Sequence, residues 1–382
     1  MDTLRFYVAT VAETLLRMLP FPTRTGLYAI GRPGPDSPVL LTCNFHLTVE
    51  RVKRALRGVD CWLLVANSRG INVWCAATGG LLTNHDVISV LKTSGIEERV
   101  HHREVILPQL AATGVEAKLI RQKTHWKVLW GPVEAKDIPG YLAAGKQKTA
   151  AMRRVEFPWL RRLEMAVAWG FPISAVTALV AWFVWRAALV PLVALVWLVA
   201  LLVFLAFPLY ERFLSTEGVH KGFIVFDFGQ SGVQVFLWVL VMAASLLIGQ
   251  MTGGLTWGYA LRWGLASLLV VVMVSIDLMG STPIYKSGLH EDRLLSVRLD
   301  RDLCKGAGFC EDVCPRDCFE VDREARKATR PRADACVQCG ACIVQCPFDA
   351  LSFATPSGEI IPPADIRTYK LNLMGRRIKA AG

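Results

Sequence analysis

The chain has 382 residues, of which 53% are hydrophobic, and its mean hydropathy is +0.37. This length gives room for two or three domains, and the hydropathy excludes a protein that is soluble throughout. The net charge of +11 at pH 7 does not indicate nucleic-acid binding, because no nucleic-acid-binding motif accompanies it and much of the excess flanks apolar segments.

The first 150 residues predict a short N-terminal segment followed by an α/β domain. Within the segment 1–36, residues 2–19 predict an amphipathic helix rather than a signal peptide, because charges interrupt the apolar run at Asp2, Arg5, Glu13 and Arg17. Across 37–150 we predict the strands 39–43, 61–66, 104–107 and 117–120, and the helices 48–57, 86–93 and 134–142. This order predicts a mostly parallel sheet, whose ligands bind at the loops beyond the strand ends.

One such loop leads to an unusual cysteine. Asn72 is a predicted helix cap, so Cys75 falls in the first turns of the helix, where the dipole favours a thiolate. A soft, anionic ligand suits a transition metal. The alternative is that Cys75 packs as a small apolar residue beside Trp74, and we expect Cys43 and Cys61 to do so in the core.

The middle of the chain, 160–285, predicts four transmembrane helices. Residues 165–210 form an apolar stretch with one charge, Arg186, and as a single helix it would measure about 69 Å, so it is predicted to be a hairpin of two spans. The predicted spans are 165–185, 187–210, 231–249 and 257–279.

Basic residues set the expected orientation of these spans. Six precede the first span, two lie between the second and third, and four follow the fourth: Lys146, Lys148, Arg153, Arg154, Arg161, Arg162, Arg212, Lys221, Lys286, Arg293, Arg298 and Arg301. The opposite turns carry Trp182, Trp185, Trp257 and Tyr259 as an interfacial belt. We therefore expect a multi-pass protein of the cytoplasmic membrane with both termini in the cytoplasm.

The C-terminal region, 296–354, has the cysteine frame of a bacterial-type two-cluster ferredoxin, an α+β fold. Cys336, Cys339, Cys342 and Cys346-Pro347 form a complete C-x2-C-x2-C-x3-C-P run. Because the fourth cysteine of each run serves the other cluster, Cys314 is predicted to join the first three around one 4Fe-4S centre. Structural zinc is the alternative, although zinc sites do not need this crossed repeat.

The first run of the frame lacks one cysteine. Cys304, Cys310 and Cys314 keep the spacing, but Ala307 stands at the position of the second ligand. The second centre, with Cys304, Cys310 and Cys346, is then a 3Fe-4S cluster, a 4Fe-4S cluster completed by water or another side chain, or an empty vestige. Cys318 is either a substitute ligand or a buried thiol, and we favour the latter. Residues 355–382 read as a basic tail.

Several runs resemble known proteins. The run from Asn72 to Ala77 resembles the cap helix of the mercury-methylation corrinoid protein, which is similar to the corrinoid iron–sulfur protein of the acetyl-CoA pathway. The likeness extends to residues 37–44, 105–110, 131–133 and 279–283. The C-terminal region resembles the partner dicluster ferredoxin of that system, here fused to the same chain.

The resemblance implies a cobalamin-like corrinoid in a Rossmann-like domain at 37–150. Cys75 would be the catalytic residue and the lower axial ligand of cobalt, and a thiolate there makes reduction to Co(I) harder, which explains a fused low-potential ferredoxin. The remaining implied cofactor-binding residues are Asn72, Val73, Trp74, Ala76, Ala77 and Asn44.

Two departures from the family pattern put mercury in doubt as the substrate. The family continues its cap motif with Gly-Lys-Gly, whereas this chain has Thr78, Gly79 and Gly80. The partner ferredoxins end in a cysteine pair, whereas residues 351–382 contain no cysteine.

The leading hypothesis is a membrane-anchored corrinoid-dependent methyltransferase that accepts a methyl group on Co(I) and passes it to an acceptor such as Hg(II). The expected partners are the membrane, a methyl-donor protein or methyltetrahydrofolate-type donor, and a low-potential electron donor; a homodimer is left open. One alternative is a methyl carrier of one-carbon metabolism that does not act on mercury. The other is a non-catalytic membrane electron-transfer module.

Overall fold

The computed structural model describes residues 3–17, 19–211, 232–275, 295–355, 357–371 and 377–379. The chain divides into two compact units. The first contains 1–9, 19–155 and 289–382, so it holds both the N-terminal α/β domain and the C-terminal ferredoxin-like domain. The second contains 10–18 and 156–288.

The sheet of the α/β domain has five strands in the order β1-β3-β2-β4-β5. β1 is antiparallel to β3, and the other neighbours are parallel, which confirms a mostly parallel sheet. The strands are β1 Gly26–Ile30, β2 Val39–Cys43, β3 Cys61–Ala66, β4 Glu104–Leu107 and β5 Lys127–Trp130. β1 comes from the segment predicted to precede the domain, and neither β1 nor β5 was predicted.

Helices cover both faces of the sheet. They are α2 His46–Ala55, α3 Val73–Thr78, α4 Asn84–Thr93, α5 Ala117–Thr124, α6 Ile138–Ala143 and α7 Ala150–Arg153, with 3₁₀ turns at Ile96–Glu98, Gln109–Thr113 and Ala135–Asp137. The first helix of the chain, α1 Thr3–Leu15, has residues in both units. Residues alternate between the two faces along each strand. In β2, Leu41 packs toward α3 and α4, whereas Leu40 packs toward α2 and α6.

The predicted strand 117–120 is wrong, because these residues begin α5. Ile120 and Thr124 are buried while Lys118 is exposed, which is the one-sided burial of a helix. A four-residue apolar run does not distinguish a strand from a helix turn. The other predicted elements lie within a few residues of α2, α4 and α6, and Cys43 and Cys61 are buried in the core as expected. Burial raises the pKa of Cys61 to about 12.

The second unit is helical. Its described elements are α8 Trp159–Val184, a 3₁₀ turn Arg186–Ala188, α9 Leu189–Leu205, α10 Phe207–Tyr210, α11 Gly232–Met251 and α12 Trp257–Ser275. α8 and α9 pack together as the predicted hairpin, and α12 packs on α9 and α11. Four helical segments of the described chain have the length and apolar composition that a membrane crossing requires: Trp159–Val184, Arg186–Leu205, Gln234–Met251 and Trp257–Ser275.

Part of the topology prediction lies outside the described residues. This applies to Arg212, Lys221, Lys286 and Arg293, and to the last four residues of the predicted span 257–279. Within the described part, the Arg186 guanidinium stacks 4.1 Å from the Trp182 ring centroid, in the turn predicted to form the interfacial belt. The orientation of the helices stays a prediction.

The ferredoxin-like domain is built from short elements. They are β6 Ser296–Leu299, α13 Phe309–Val313, β7 Glu320–Asp322, β8 Lys327–Thr329, a 3₁₀ turn Ala333–Ala335, α14 Ala341–Gln345, β9 Leu351–Ala354, β10 Ile360–Ile361, α15 Pro363–Thr368, β11 Tyr369–Leu371 and β12 Arg377–Lys379. β6, β9 and β10 form an antiparallel sheet, and β7 pairs with β8. The region expected to be a basic tail contributes α15, whose Ile366 is buried in the domain core.

Candidate functional site

The cap helix α3 begins as predicted. The Asn72 side-chain oxygen accepts a hydrogen bond from the backbone N–H of Cys75 at 3.1 Å, which satisfies one of the unpaired donors of the first turn. The Cys75 side chain is exposed, whereas Val73, Ala76 and Ala77 are buried in the core. The alternative of an inward-packed Cys75 is therefore wrong, and the thiol is on the accessible face of the helix.

Asn44 supports the loop that leads to this helix. It is buried, and its side-chain oxygen accepts hydrogen bonds from the backbone N–H groups of Ser68 at 2.9 Å and Gly70 at 3.0 Å. Gly70 adopts φ +72°, and a Cβ atom there would lie 2.6 Å from the backbone nitrogen of Pro22. Asn44 thus positions Cys75 through the loop, and its contact with a corrinoid stays a prediction.

The turn Gln109–Thr113 packs directly beneath α3. Gly114, which follows this turn, approaches the helix so closely that a Cβ atom would lie 2.6 Å from the carbonyl oxygen of Ala77 and 2.5 Å from that of Leu82. Sequence reasoning missed this contact, because glycine at 114 has no motif around it.

The complete cysteine set lines one cavity, and its role as a ligand set stays a prediction. Its members are Cys314, Cys336, Cys339 and Cys342, of which Cys314 is far from the other three in sequence. Backbone N–H groups point at the sulfur atoms: that of Cys318 lies 3.2 Å from the Cys314 Sγ. Four thiols around a cavity with amide donors at their sulfur atoms fit a 4Fe-4S cluster.

The incomplete set, Cys304, Cys310 and Cys346, lines a second cavity together with Ala307. Ala307 is exposed and lies between two glycines, so the position of the missing ligand is open to solvent. Three thiols fit a 3Fe-4S cluster, or a 4Fe-4S cluster whose fourth corner faces water.

Cys318 is buried, as expected, and lines the cavity of the complete set rather than the one at Ala307. The pKa of Cys314 is lowered, chiefly because the Cys318 thiol donates a hydrogen bond to it. Burial raises the pKa of Cys310 to about 12. Burial disfavours the charged form of the Cys310 thiol, and a bound cation would offset that cost.

The basic linker before α8 is paired with acidic groups of the first unit. Lys146 lies 2.6 Å from Glu104, which is also 2.9 Å from Lys127, and Arg154 lies 3.4 Å from Asp317 of the ferredoxin-like domain. The hydrogen bonds from Lys146 and Lys127 lower the pKa of Glu104 to about 2. Lys146 and Arg154 were predicted from their charge to mark the cytoplasmic side. In the structure Lys146 pairs within the α/β domain, whereas Arg154 pairs with the ferredoxin-like domain.

Comparison with known proteins separates the two parts of this unit. Residues 16–142 match the family model described as CO dehydrogenase/acetyl-CoA synthase delta subunit, and residues 303–350 match the 4Fe-4S dicluster domain. The second match favours iron–sulfur clusters over the zinc alternative.

Similar proteins include gamma subunits of the acetyl-CoA decarbonylase/synthase complex. The Archaeoglobus fulgidus subunit is 41% identical over 142 residues, which is 37% of this chain and 29% of the relative. The gamma 2 subunit of Methanosarcina mazei is 39% identical over 127 residues, and the Methanopyrus kandleri subunit is 37% identical over 125; each alignment covers 32% of this chain and 27% of the relative. The chain thus spans less than a third of the length of these relatives. It combines a CdhD-type domain at residues 16–142 with a 4Fe-4S dicluster domain at residues 303–350.

Proposed function

We propose that this chain is a membrane-anchored, corrinoid-dependent methyltransferase whose fused ferredoxin keeps the cobalt reduced. The observation that carries the proposal is the exposed thiol of Cys75 on a capped helix, inside the domain that matches the CdhD model. The relatives of this domain belong to a complex named for acetyl-CoA chemistry. That chemistry supports a methyl-carrying role.

The residues around Cys75 fit a corrinoid, which the exposed thiol of Cys75 would hold. A bound corrinoid supplies a cobalt ion that accepts and releases a methyl group. Asn72 fixes the first turn of α3, so the Cys75 sulfur projects from a helix whose other face is anchored by Val73 and Ala76 in the core. Because the cap holds the backbone here, Cys75 would need little reorganisation to ligate the cobalt of a bound corrinoid.

In this proposal, iron–sulfur clusters bound by the two cysteine sets supply the electrons that reduce the cobalt. We propose one 4Fe-4S cluster on the complete set and a 3Fe-4S or 4Fe-4S cluster on the incomplete one. A thiolate ligand would disfavour the reduced cobalt, and low-potential clusters held by these cysteines would supply the electrons that reduce it. Both domains lie in one compact unit.

The methyl acceptor separates two forms of the proposal. The likeness of the run from Asn72 to Ala77 to the mercury-methylation protein supports Hg(II) as acceptor. The curated relatives support instead a methyl carrier of one-carbon metabolism. A methyl-donor protein or a methyltetrahydrofolate-type donor would load either form.

The four apolar helices support anchoring in the cytoplasmic membrane, with both termini in the cytoplasm and a homodimer compatible with the exposed helix faces. This topology places the corrinoid domain and the ferredoxin in one reducing compartment, in which all eleven cysteines remain thiols before cluster assembly.

The decisive experiment quantifies cobalt and iron per chain in full-length protein from a corrinoid-producing anaerobe. We expect both metals in the unsubstituted protein, and iron without thiolate-ligated cobalt in Cys75→Ala. Cys61→Ala is the matched control, because it removes a buried thiol of the same domain and should retain both metals. Iron without any corrinoid in the unsubstituted protein would instead favour the non-catalytic electron-transfer module. Incubation of the methyl-loaded protein with Hg(II) then distinguishes the two forms of the proposal, because only the mercury-methylating form should produce methylmercury.

A further inference from the structure

The two cysteine sets are related by an internal repeat of 32 residues, but their surroundings differ. Ala341, beside the complete set, is 1% exposed and lies in the same apolar core as Val73 and Ala76 of the cap helix. The equivalent residue beside the incomplete set is Phe309, whose side chain is 38% exposed. The repeat itself therefore provides an internal comparison of a covered and an uncovered position.

A second pair of equivalent positions shows the same difference. The Arg316 guanidinium donates a hydrogen bond to the carbonyl oxygen of Val155 at 3.2 Å, and the Val155 N–H donates to Pro315 at 2.8 Å, so the linker covers this loop. Its equivalent, Phe348, is 45% exposed. Cys339 likewise packs against the core of the α/β domain, whereas its equivalent, Ala307, is exposed.

One side chain fastens the covered side. Gln345, at the end of α14, is 6% exposed and reaches into the α/β domain. Its amide nitrogen donates hydrogen bonds to the carbonyl oxygens of Val115 at 2.6 Å and Ala112 at 2.7 Å, and its oxygen accepts one from the N–H of Ala117 at 3.2 Å. Three hydrogen bonds to backbone groups satisfy this buried amide almost completely.

The contacts of Gln345 lead toward the cap helix. The turn Gln109–Thr113, which contains Ala112, contacts α14 on one side and α3 on the other. The position equivalent to Gln345 in the first half is Val313, which is 1% exposed and packs in the same core but has no polar side chain to donate or accept hydrogen bonds. The repeat alone therefore does not produce this anchor.

From these observations we propose that Gln345 is a positioning residue that turns the complete set, Cys314, Cys336, Cys339 and Cys342, toward the cap helix and leaves the incomplete set on the outside. This order rests on the proposed function. In this order the incomplete set, on the outside, would take one electron from an external low-potential donor, the complete set would pass it on, and a corrinoid held at Cys75 would receive it. Each transfer moves one electron.

The anchoring contact is tested first, by hydrogen exchange in the full chain with its iron–sulfur clusters and no corrinoid. Gln345→Met keeps the length of the side chain and removes all three hydrogen bonds. We expect backbone amides of residues 111–117 and 339–345 to exchange roughly 10- to 100-fold faster, with unchanged iron content. Gln122→Met, the same change at an exposed site on α5, should leave the exchange rates of these amides unchanged. Equal protection in both variants would overturn the role of Gln345.

The order of the two sets is tested with a nitroxide spin label on Cys75, again without corrinoid. Reduction of the complete set should enhance the relaxation of the label, and Ala307→Cys, which alters only the outer centre, should leave that enhancement unchanged. Gln345→Met should weaken it. If the relaxation enhancement changed in Ala307→Cys, or if reduction of the complete set produced no enhancement, the proposal would be overturned. Because neither test contains a corrinoid, their outcome is independent of whether the chain binds one, which the metal analysis decides.

Discussion

Replacing Gly114 by alanine tests whether the turn beneath the cap helix sets the position of Cys75. The added Cβ would lie 2.5 Å from the Leu82 carbonyl oxygen, and 2.6 Å from the oxygen and 2.8 Å from the Cα of Ala77. All three are backbone atoms, so no side chain can turn away. The helix must move by about 0.5–1 Å to restore ordinary van der Waals contact.

Overpacking of this kind costs about 1–3 kcal/mol, and the smaller conformational freedom of alanine in the unfolded chain offsets about 0.4–1 kcal/mol of it. We expect a net loss of about 1–2 kcal/mol, or a decrease in Tm of roughly 2–4 °C. Thermal unfolding followed by far-ultraviolet circular dichroism measures the stability, and cobalt bound per chain reports the displacement of Cys75.

Gly34→Ala is the matched control, because no atom lies within 4 Å of its added Cβ and its φ is not in the left-handed region. It should unfold at the same temperature as the unsubstituted protein or slightly above it. If Gly114→Ala resembled Gly34→Ala in both stability and cobalt content, the close approach of the turn to the cap helix would not be a constraint, and this reasoning would be refuted.

Three further substitutions test separate parts of the molecule. Asn72→Ala removes the cap of α3 and should lower the unfolding free energy by about 1 kcal/mol in urea titrations, whereas Asn72→Asp keeps the acceptor and most of the stability. Glu104→Gln removes a carboxylate whose folded-state pKa of about 2 lies below the ordinary 4.5, so the variant should be less stable than the unsubstituted protein at neutral pH. This difference in unfolding free energy should shrink to zero as the pH falls from 4.5 to 2, and a constant difference across that range would contradict the pairing with Lys146. Ala307→Cys supplies a fourth thiolate at the open corner of the outer centre and should slow the loss of iron to a chelator, unless the cavity holds no cluster.

The local elements of the α/β domain were accessible from sequence wherever the signal was long or chemically specific. The strand 39–43 and the Asn72 cap were predicted because continuous apolar burial and side-chain capping depend on neighbouring residues. The edge strands β1 and β5 were not, because an edge strand is half exposed and its pattern resembles that of a loop. The helix at 117–124 was taken for a strand because its apolar run is short, and contacts across the core decide its form.

Cysteine spacing by itself predicted two cluster sites, the thiols of each one, and the site that lacks a ligand, since four sulfur atoms on short loops can close around a cluster in few ways. The tertiary structure alone decided which site is covered. Gln345 meets Ala112 across more than two hundred residues of chain, and such a meeting depends on how two folded surfaces fit together. No local pattern in the sequence encodes that fit, because every residue has a backbone carbonyl group that can accept a hydrogen bond, whatever its side chain.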